Sequence, residues 1–166
     1  MKRLQAQRMN LSAIAGMGSL GLLLGAFGFQ YIGDLTPCAL CILQRWPHAL
    51  ALCLATLNLK LDRAWVSLLG AAAASSSAGI AVFHTGVERG FWQGMKSCAG
   101  SIDITQMSAE DALEMIMQAS VAKCDEVAWA FAGLSMASWN AILSIALAAL
   151  WVLEMRRQMS KKTSEV

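Results

Sequence analysis

The segment PCALCILQR at residues 37–45 places two thiols three positions apart and a guanidinium four residues after the second thiol. A disulfide between Cys38 and Cys41 would close almost no loop and would add little stability, and such tight pairs are more often redox-active. On a helix, Cys41 and Arg45 would be close neighbours, because residues four positions apart share a face. A helix N-terminus and a fixed positive charge both lower a thiol pKa and favour the reactive thiolate. The segment therefore predicts a thiol–disulfide redox centre.

The elements that must position these residues are long apolar runs. Of the 166 residues, 57% are apolar and 14% are charged, whereas soluble domains carry about 25% charged residues. A membrane-spanning helix needs about 20 mostly apolar residues. The pattern predicts an all-α membrane protein, a four-transmembrane-helix bundle in a single integral membrane domain. The expected spans are residues 11–31, 41–59, 64–84 and 134–154, and the first is expected to remain uncleaved because it is too long for a signal peptide.

Positive charge predicts the orientation of these spans. Lys and Arg are in excess in cytoplasmic segments, and most of the 13 basic residues lie in the N-terminal segment, the 60–63 link and the C-terminal tail. Both termini are therefore expected in the cytoplasm, and the loops at about 32–40 and 85–133 are expected outside, in the periplasm of a bacterial cell. The net charge of +2 indicates membrane topology and does not indicate nucleic-acid binding.

Small residues and aromatic residues add detail to the spans. The glycines of the first span and the small residues of the third predict close helix packing. Pro47 either kinks the second span or marks a later helix start. We expect Tyr31, Trp46, Trp65 and Trp151 to be interfacial aromatics, because they fall near predicted span ends.

The long outer loop carries its own helix signal. Ser108 begins SAED, which is typical of a capping box with aspartate at the last position. Apolar residues then fall mostly on one side of the following helix, which runs to about residue 121. We expect this short amphipathic helix to lie in the membrane interface and to tether the loop, since the loop is too small for its own core.

The predicted topology sorts the five cysteines. Cys53 falls inside the second span and is expected to fill space as a buried free thiol. The other four face outward, where disulfides persist, and they allow three pairings. Pairing Cys38 with Cys41 and Cys98 with Cys124 is the simplest arrangement, because each pair then lies within one loop. A zinc site is disfavoured because a second C-x-x-C is absent.

The two histidines differ in how well they are placed. His84 falls at the outer end of the third span, with Glu88 one turn later. Ionisable groups within spans are functional by default, so His84 is a candidate site residue. If the second helix begins around Cys38, then the two thiols, Arg45 and His48 share one face. That position is the only feature that favours His48, and we do not select it.

A redox pair at the membrane boundary needs an electron acceptor at the same depth. A quinone is a lipid-soluble two-electron acceptor that diffuses there. A cation such as Arg45 beside the thiolate would stabilise negative charge that develops on a quinone oxygen. The position of Cys38 and Cys41 therefore favours a quinone as the acceptor.

Motifs along nearly the whole chain resemble the disulfide bond formation protein B (DsbB) family, the bacterial inner-membrane thiol–quinone oxidoreductases. The C-x-x-C alone would be a weak signal, but the ordered combination is highly specific. The matching segments are PCALCILQR at 37–45, HTGVERGFW at 84–92, SCAG around Cys98, Cys124, and GLSMASWN at 133–140.

The resemblance implies a disulfide-generating enzyme with a soluble periplasmic partner, a DsbA-type dithiol oxidase of thioredoxin fold. The partner's thiolate would attack the Cys98–Cys124 disulfide and form a mixed disulfide at Cys98. Exchange would pass the electrons to Cys38 and Cys41, and Cys41 would engage ubiquinone or menaquinone from the membrane quinone pool. The family's quinone-site positions map onto Arg45, His84 and Gln44.

Two other functions fit four spans with paired cysteines. A vitamin-K-epoxide-reductase-like protein is also a four-helix, quinone-linked thiol oxidase. That family carries its quinone-proximal C-x-x-C on the last core helix, whereas here the motif opens the second span. A non-catalytic metal-binding or scaffold membrane protein stapled by disulfides is the other alternative, and it would neither carry quinone nor oxidise a partner.

Overall fold

Four long helices dominate the computed structural model, which describes residues 10–94, 108 and 122–164. All four are long and apolar enough to cross a membrane. The predicted fold class, an all-α bundle of four transmembrane helices, is therefore confirmed. The helices are α1 (Leu11–Tyr31), α2 (Ala39–Leu61), α3 (Ala64–Glu88) and α4 (Met136–Thr163).

The start of α2 differs from the predicted span and changes the position of the first thiol. The helix begins at Ala39, with Cys38 as its N-cap, whereas the expected span begins at residue 41. Pro47 lies inside α2, so the later helix start is excluded. The first cysteine therefore stands at the N-terminus of a membrane helix, where free backbone N–H groups gather.

A short hairpin precedes α4 and ends at its cap. Strand β1 (Ala130–Phe131) pairs antiparallel with β2 (Leu134–Ser135), and Ala132 and Gly133 at the turn both have positive φ. The side chain of Ser135 accepts a hydrogen bond from the backbone N–H of Ser138 and caps α4, as serine commonly does. The hairpin therefore leads directly into the end of the bundle that carries Cys38.

The helices form a closed ring, since each contacts its chain neighbour and α1 also packs against α4. Half of the apolar window of α3 is buried, against a third for each of the others. The expectation that the small residues of this span pack inside the bundle is thus confirmed. Gly70 on α3 lies against Trp151, where an added Cβ would meet the indole ring at 2.5 Å.

Two side chains differ from the prediction in whether they are buried or exposed. Trp151 is fully buried in the core, so the prediction that it is an interfacial aromatic is wrong; it fills the space that Gly70 leaves. Cys53 is a free thiol but is exposed on the outer surface of α2, so the prediction that it is buried is also wrong. The predicted amphipathic helix after Ser108 lies outside the described residues.

Polar groups join the helices at the end opposite Cys38. Asn58 is fully buried and donates hydrogen bonds to Ser12 and Ser67. Gln158 on α4 donates to the Asn58 side chain at 3.3 Å. Because buried polar groups are costly without partners, these bonds fix the register of the helices far from the thiols.

Candidate functional site

The thiols of Cys38 and Cys41 adjoin at the N-terminus of α2. Their sulfurs lie 3.0 Å apart. The Cys38 sulfur also accepts a hydrogen bond from the backbone N–H of Cys41, with 3.3 Å between nitrogen and sulfur. Both cysteines are free thiols here. The proximity that the C-x-x-C spacing predicts is therefore present, with one sulfur acting as the helix cap.

The electrostatics of this N-terminus favour a thiolate at Cys38. The hydrogen bond from the Cys41 thiol lowers the pKa of Cys38 well below its ordinary value, and the hydrogen bond to His84 acts in the same direction, although burial opposes both. A helix N-terminus stabilises an anion for the same reason that it binds phosphates. The thiol that benefits most is therefore Cys38, whereas the sequence pattern favours Cys41 because of its spacing from Arg45.

His84 joins the thiols to α3. Its ring is buried, and Nε2 lies 3.6 Å from the Cys38 sulfur. The same nitrogen is 3.9 Å from Oε1 of Glu88, and that carboxylate accepts a hydrogen bond from the hydroxyl of Ser135 at the end of the hairpin. One ring nitrogen therefore faces both a thiol and a carboxylate.

Gln44 continues this contact into the bundle. The Gln44 side-chain nitrogen lies 3.0 Å from Nδ1 of His84, and the Gln44 oxygen accepts a hydrogen bond from the side-chain nitrogen of Asn140. Gln44, which the family resemblance placed at the site, therefore does contact His84. Asn140 on α4 was not predicted as a site residue.

His48 lies one turn below Gln44 and was also not selected from the sequence. Its ring is buried, and Nε2 lies 3.0 Å from the Asn140 side-chain oxygen and 2.9 Å from the Ser77 hydroxyl. Nδ1 lies 3.4 Å from the Ser19 hydroxyl, so His48 touches all three other helices. The available sequence signal was the presence of polar side chains at four-residue spacing within otherwise apolar spans.

Arg45 points towards α1. Its Nη1 donates to the Gln30 side-chain oxygen at 2.6 Å, and its Nη2 donates to the backbone carbonyl of Ala26 at 3.5 Å. The guanidinium carbon also lies 5.0 Å from the centre of the Phe27 ring, a cation–π distance. Its buried Nε has no hydrogen-bond partner among the described residues. The charged group is thus held in place by α1.

A cavity of about 440 Å³ is lined by most of these groups. This volume is within the range of about 300–1,000 Å³ for small-molecule sites. Its lining is mainly apolar and includes Phe29 and Leu22 of α1. The polar or chemically reactive side chains in the lining include Cys41, Gln44, Arg45, His48, His84 and Asn140. A flat apolar molecule with a few acceptor atoms would suit such a cavity.

The second predicted cysteine pair is only partly described. Cys124 is 1% exposed and disulfide-bonded, whereas Cys98, its predicted partner, lies outside the described residues. Cys124 belongs to the same buried cluster as Cys38, together with Leu40 and Val87. The two cysteine pairs predicted to exchange electrons therefore meet in one cluster through these two members.

The thiols and His84 also form a set of potential metal ligands. The two sulfurs and a His84 ring nitrogen all lie within 4.8 Å of one another. Thiolate and imidazole are the ligands that zinc and other soft metals prefer. A metal at this position would require both thiols to be reduced, so it would compete with the disulfide.

The comparisons with known proteins agree with the motifs. The family model for disulfide bond formation protein DsbB matches residues 7–154. A Hahella chejuensis protein named disulfide bond formation protein B is 29% identical over 79% of this chain and 83% of its own. The protein of the same name from Albidiferax ferrireducens is 29% identical over 92% and 90%.

A third relative carries no functional name. The uncharacterised protein RP370 of Rickettsia prowazekii is 29% identical over 74% of this chain and 73% of its own. No solved structure matches the chain. The match to the family model spans the C-x-x-C, His84, Cys98 and Cys124 in one continuous stretch. The chain therefore belongs to the DsbB family of disulfide bond formation proteins.

Proposed function

We propose that this protein is a thiol:quinone oxidoreductase of the bacterial inner membrane. It reoxidises a periplasmic DsbA-type dithiol oxidase and passes the electrons through two cysteine pairs to ubiquinone or menaquinone. It is one integral membrane domain with both termini in the cytoplasm, so that Cys38 and Cys124 face the periplasmic side. The excess of Lys and Arg at the opposite end supports this orientation.

One observation carries the proposal: Cys38 and Cys41 link two different surroundings. The Cys38 sulfur packs in the cluster that contains Cys124, whereas Cys41 lines the cavity. Electrons that enter at the outer disulfide could therefore leave from the cavity after exchange between adjacent sulfurs. A pair that only stapled a loop would need neither contact.

The overall reaction balances without any other reactant. The partner's two thiols are oxidised to a disulfide and release two electrons and two protons, and the quinone takes up two of each to become the quinol. The partner's thiolate attacks Cys98 and breaks the Cys98–Cys124 bond. The freed thiolate of Cys124 then attacks Cys38, its neighbour in the buried cluster, and breaks the Cys38–Cys41 bond, which releases the Cys41 thiolate. The partner's second thiolate displaces Cys98 and completes the partner's disulfide, and Cys98 then attacks Cys124, which restores the Cys98–Cys124 bond and releases Cys38. The reduced inner pair gives its two electrons and two protons to the quinone and so returns to the disulfide.

The quinone contributes the oxidising power. A DsbA-type partner has a potential of about −120 mV and is itself a strong oxidant, so its reoxidation requires a still stronger acceptor. The cavity suits the quinone in size and polarity, because its lining combines many apolar side chains with a few polar groups. The positive charge of Arg45, which lines the cavity, suits a carbonyl oxygen that gains negative charge.

The chain's own groups have distinct tasks in this proposal. Arg45 places a fixed positive charge at the cavity, and its bonds to Gln30 and Ala26 keep it there. His84 contacts the Cys38 sulfur and stabilises its thiolate. The apolar lining limits water near the reacting sulfur of Cys41 and so protects the thiol–quinone reaction from competing proton transfers.

The test is a coupled oxidation assay on the purified, detergent-solubilised protein. Reduced DsbA-type partner and ubiquinone are mixed with enzyme, and partner thiols and quinone absorbance are followed together. Equal loss of dithiol and quinone is expected with the wild type, and no quinone loss with Cys41→Ser. Cys53→Ser is the matched control, because this exposed thiol lies outside the site and should leave turnover unchanged. Absence of quinone loss with the wild type would contradict the proposal.

The ligand geometry of the two thiols and His84 favours one second candidate function, metal binding. A resident metal would hold the thiols reduced and would exclude the redox cycle. Elemental analysis of the protein as purified separates the two functions. Stoichiometric metal with no partner oxidation would favour the metal-binding function, and turnover by metal-free protein would favour the oxidoreductase.

A further inference from the structure

The groups around the His84 ring determine which of its two nitrogens carries the proton. Nε2 faces the Cys38 sulfur at 3.6 Å and Oε1 of Glu88 at 3.9 Å. A thiolate and a carboxylate can only accept hydrogen bonds. The ring therefore carries its proton on Nε2, and Nδ1 is left as an acceptor for the Gln44 side-chain N–H at 3.0 Å.

Asn140 holds Gln44 in the orientation that this tautomer needs. A side-chain amide has a donor end and an acceptor end, and the acceptor end of Gln44 is occupied by the N–H of Asn140. The donor end of Gln44 is consequently turned to Nδ1 of His84. With an acceptor at position 140 instead, Gln44 would reverse and present its oxygen to His84.

Hydrogen bonds on the far side of Asn140 from Gln44 favour the same orientation of its amide group. The Ser77 hydroxyl donates to the backbone carbonyl of Gln44 at 3.4 Å, so its oxygen accepts from Nε2–H of His48 at 2.9 Å. The same Nε2–H side of His48 faces the Asn140 oxygen at 3.0 Å, and the Ser144 hydroxyl donates to that oxygen at 3.2 Å. The oxygen of Asn140 therefore points to His48, and its N–H points to Gln44.

We propose that Asn140 is a positioning residue that acts through Gln44 to hold His84 in the tautomer whose Nε2–H donates to the Cys38 sulfur. Three helices contribute to this arrangement, since Gln44 lies on α2, His84 on α3 and Asn140 on α4. The bond favours the thiolate over the thiol at Cys38, and so assists exchange at that sulfur. The role of Cys38 in exchange rests on the proposed function, but the tautomer of His84 does not.

The chain has only two histidines, which allows a direct test. Protein labelled with ¹⁵N-histidine gives signals from two rings, and a His84→Asn variant identifies those of His84. In the reduced wild type at neutral pH, His84 is expected to show Nε2–H and an unprotonated Nδ1. In Asn140→Leu, Gln44 is free to turn, and His84 is expected to become a mixture of both tautomers.

The reactivity of Cys38 provides a second readout. The titratable groups that face Cys38 among the described residues are Cys41, His84 and, beyond it, Glu88. The rate of Cys38 alkylation is measured against pH in a Cys41→Ser background. We expect the midpoint of this pH profile to lie about one pH unit higher in Asn140→Leu. One unit corresponds to a tenfold lower thiolate fraction below the pKa.

Two further variants separate positioning from general damage. Gln44→Leu breaks the same link from α2, so it should produce the same mixed tautomer if Asn140→Leu fails to fold. Ser76→Ala removes an exposed hydroxyl on α3 that donates to the Ala72 carbonyl of its own helix, and it should leave the tautomer of His84 unchanged. A wild-type ring protonated on Nδ1, or an unchanged His84 tautomer in both folded link variants, would overturn the proposal. A wild type with the expected tautomer but no quinone turnover would instead refute only the proposed function.

Discussion

The Cys38 sulfur and Nε2 of His84 face each other at 3.6 Å across the contact between α2 and α3. The sulfur is at the same time the N-cap of α2. A single atom is therefore surrounded by a backbone N–H, a neighbouring thiol and an imidazole, all of which favour its ionised form. This convergence gives Cys38 a pH dependence that the other thiols would not share.

The stability of the reduced protein relative to that of the oxidised protein should rise as the pH rises towards the ordinary thiol range. The pKa of Cys38 is lowered in the folded state, so its contribution is fully present above the unfolded thiol pKa and is lost as pH falls through the lowered one. We expect the Tm of the dithiol form, minus that of the disulfide form, to fall on acidification. Differential scanning fluorimetry from about pH 4 to about pH 9 measures it, and a His84→Asn variant should show a smaller change. A difference in Tm that does not vary with pH would contradict the thiolate assignment.

Arg45→Ala should impair quinone reduction and leave thiol exchange largely intact. The guanidinium lines the cavity and makes its bonds to α1, away from the Cys38 sulfur. Losing a preorganised charge of this kind typically costs about 100-fold or more in rate. Quinone reduction is measured at saturating reduced partner, and exchange is measured separately as mixed-disulfide formation. Equal loss in both assays would show that Arg45 supports the fold or the thiols instead.

Arg45→Lys serves as a stricter comparison at the same position. Lysine keeps the charge but cannot reproduce the planar fork of donors. Partial activity is expected, between those of the wild type and Arg45→Ala. Wild-type activity in Arg45→Lys would mean that charge alone is sufficient.

Cys124→Ser should trap the partner. In the variant, the Cys98 thiolate attacks the disulfide of the oxidised partner, which forms a mixed disulfide at Cys98 and releases one partner thiolate. Without Cys124, no neighbouring thiolate of this chain resolves that bond, so a long-lived complex should accumulate. Non-reducing gel electrophoresis after mixing the reduced variant with the oxidised partner measures this complex. Cys98→Ser is the matched control and should form none. Trapping by Cys98→Ser and not by Cys124→Ser would reverse the order of attack.

Gly70→Val should destabilise the bundle without touching the site. Even the first added carbon would meet the buried indole of Trp151 at 2.5 Å, and overpacking of this kind costs about 1–3 kcal/mol. A lower Tm with unchanged quinone specificity is expected. Gly79→Val is the matched control on the same helix, because an added Cβ meets nothing within 4 Å there. A similar Tm for both variants would contradict the packing at Gly70.

The positions of the helices could be read from the sequence because lipid demands long apolar runs. The predicted first span and α1 have the same bounds, residues 11–31. The second helix begins earlier because the Cys38 side chain caps it, and a capping cysteine has no common sequence signature. The segment between the third and fourth spans that was predicted to form a helix lies outside the described residues.

It was harder to predict which face of each helix is buried in the bundle. In a soluble protein, polarity separates the buried face of a helix from the exposed one, but in lipid both faces are apolar. Cys53 and Trp151 were therefore assigned to the wrong environments, and only the structure shows that Trp151 fills the space beside Gly70. Composition did identify α3 as the packed helix, because small residues rarely face lipid in such numbers.

The candidate site was predictable where its residues are close in the sequence. The sulfurs and Arg45 share one short motif, His84 was a candidate as an ionisable group within a span, and the resemblance added Gln44. Asn140 and His48 are joined across a separation of 92 residues, and no periodicity indicates which polar side chains of different spans will meet. Their contact depends on helix rotation, which a single sequence does not encode in any local pattern.

The capping role of Cys38 has a consequence for the backbone of α2. Its sulfur accepts the amide of Cys41, and a negatively charged acceptor holds an N–H more tightly than a neutral one does. Every transfer of electrons through this sulfur should then tighten or loosen the opening turn of a helix embedded in lipid. Hydrogen–deuterium exchange at that single amide would report the progress of the reaction from within the membrane, with no dye or substrate attached.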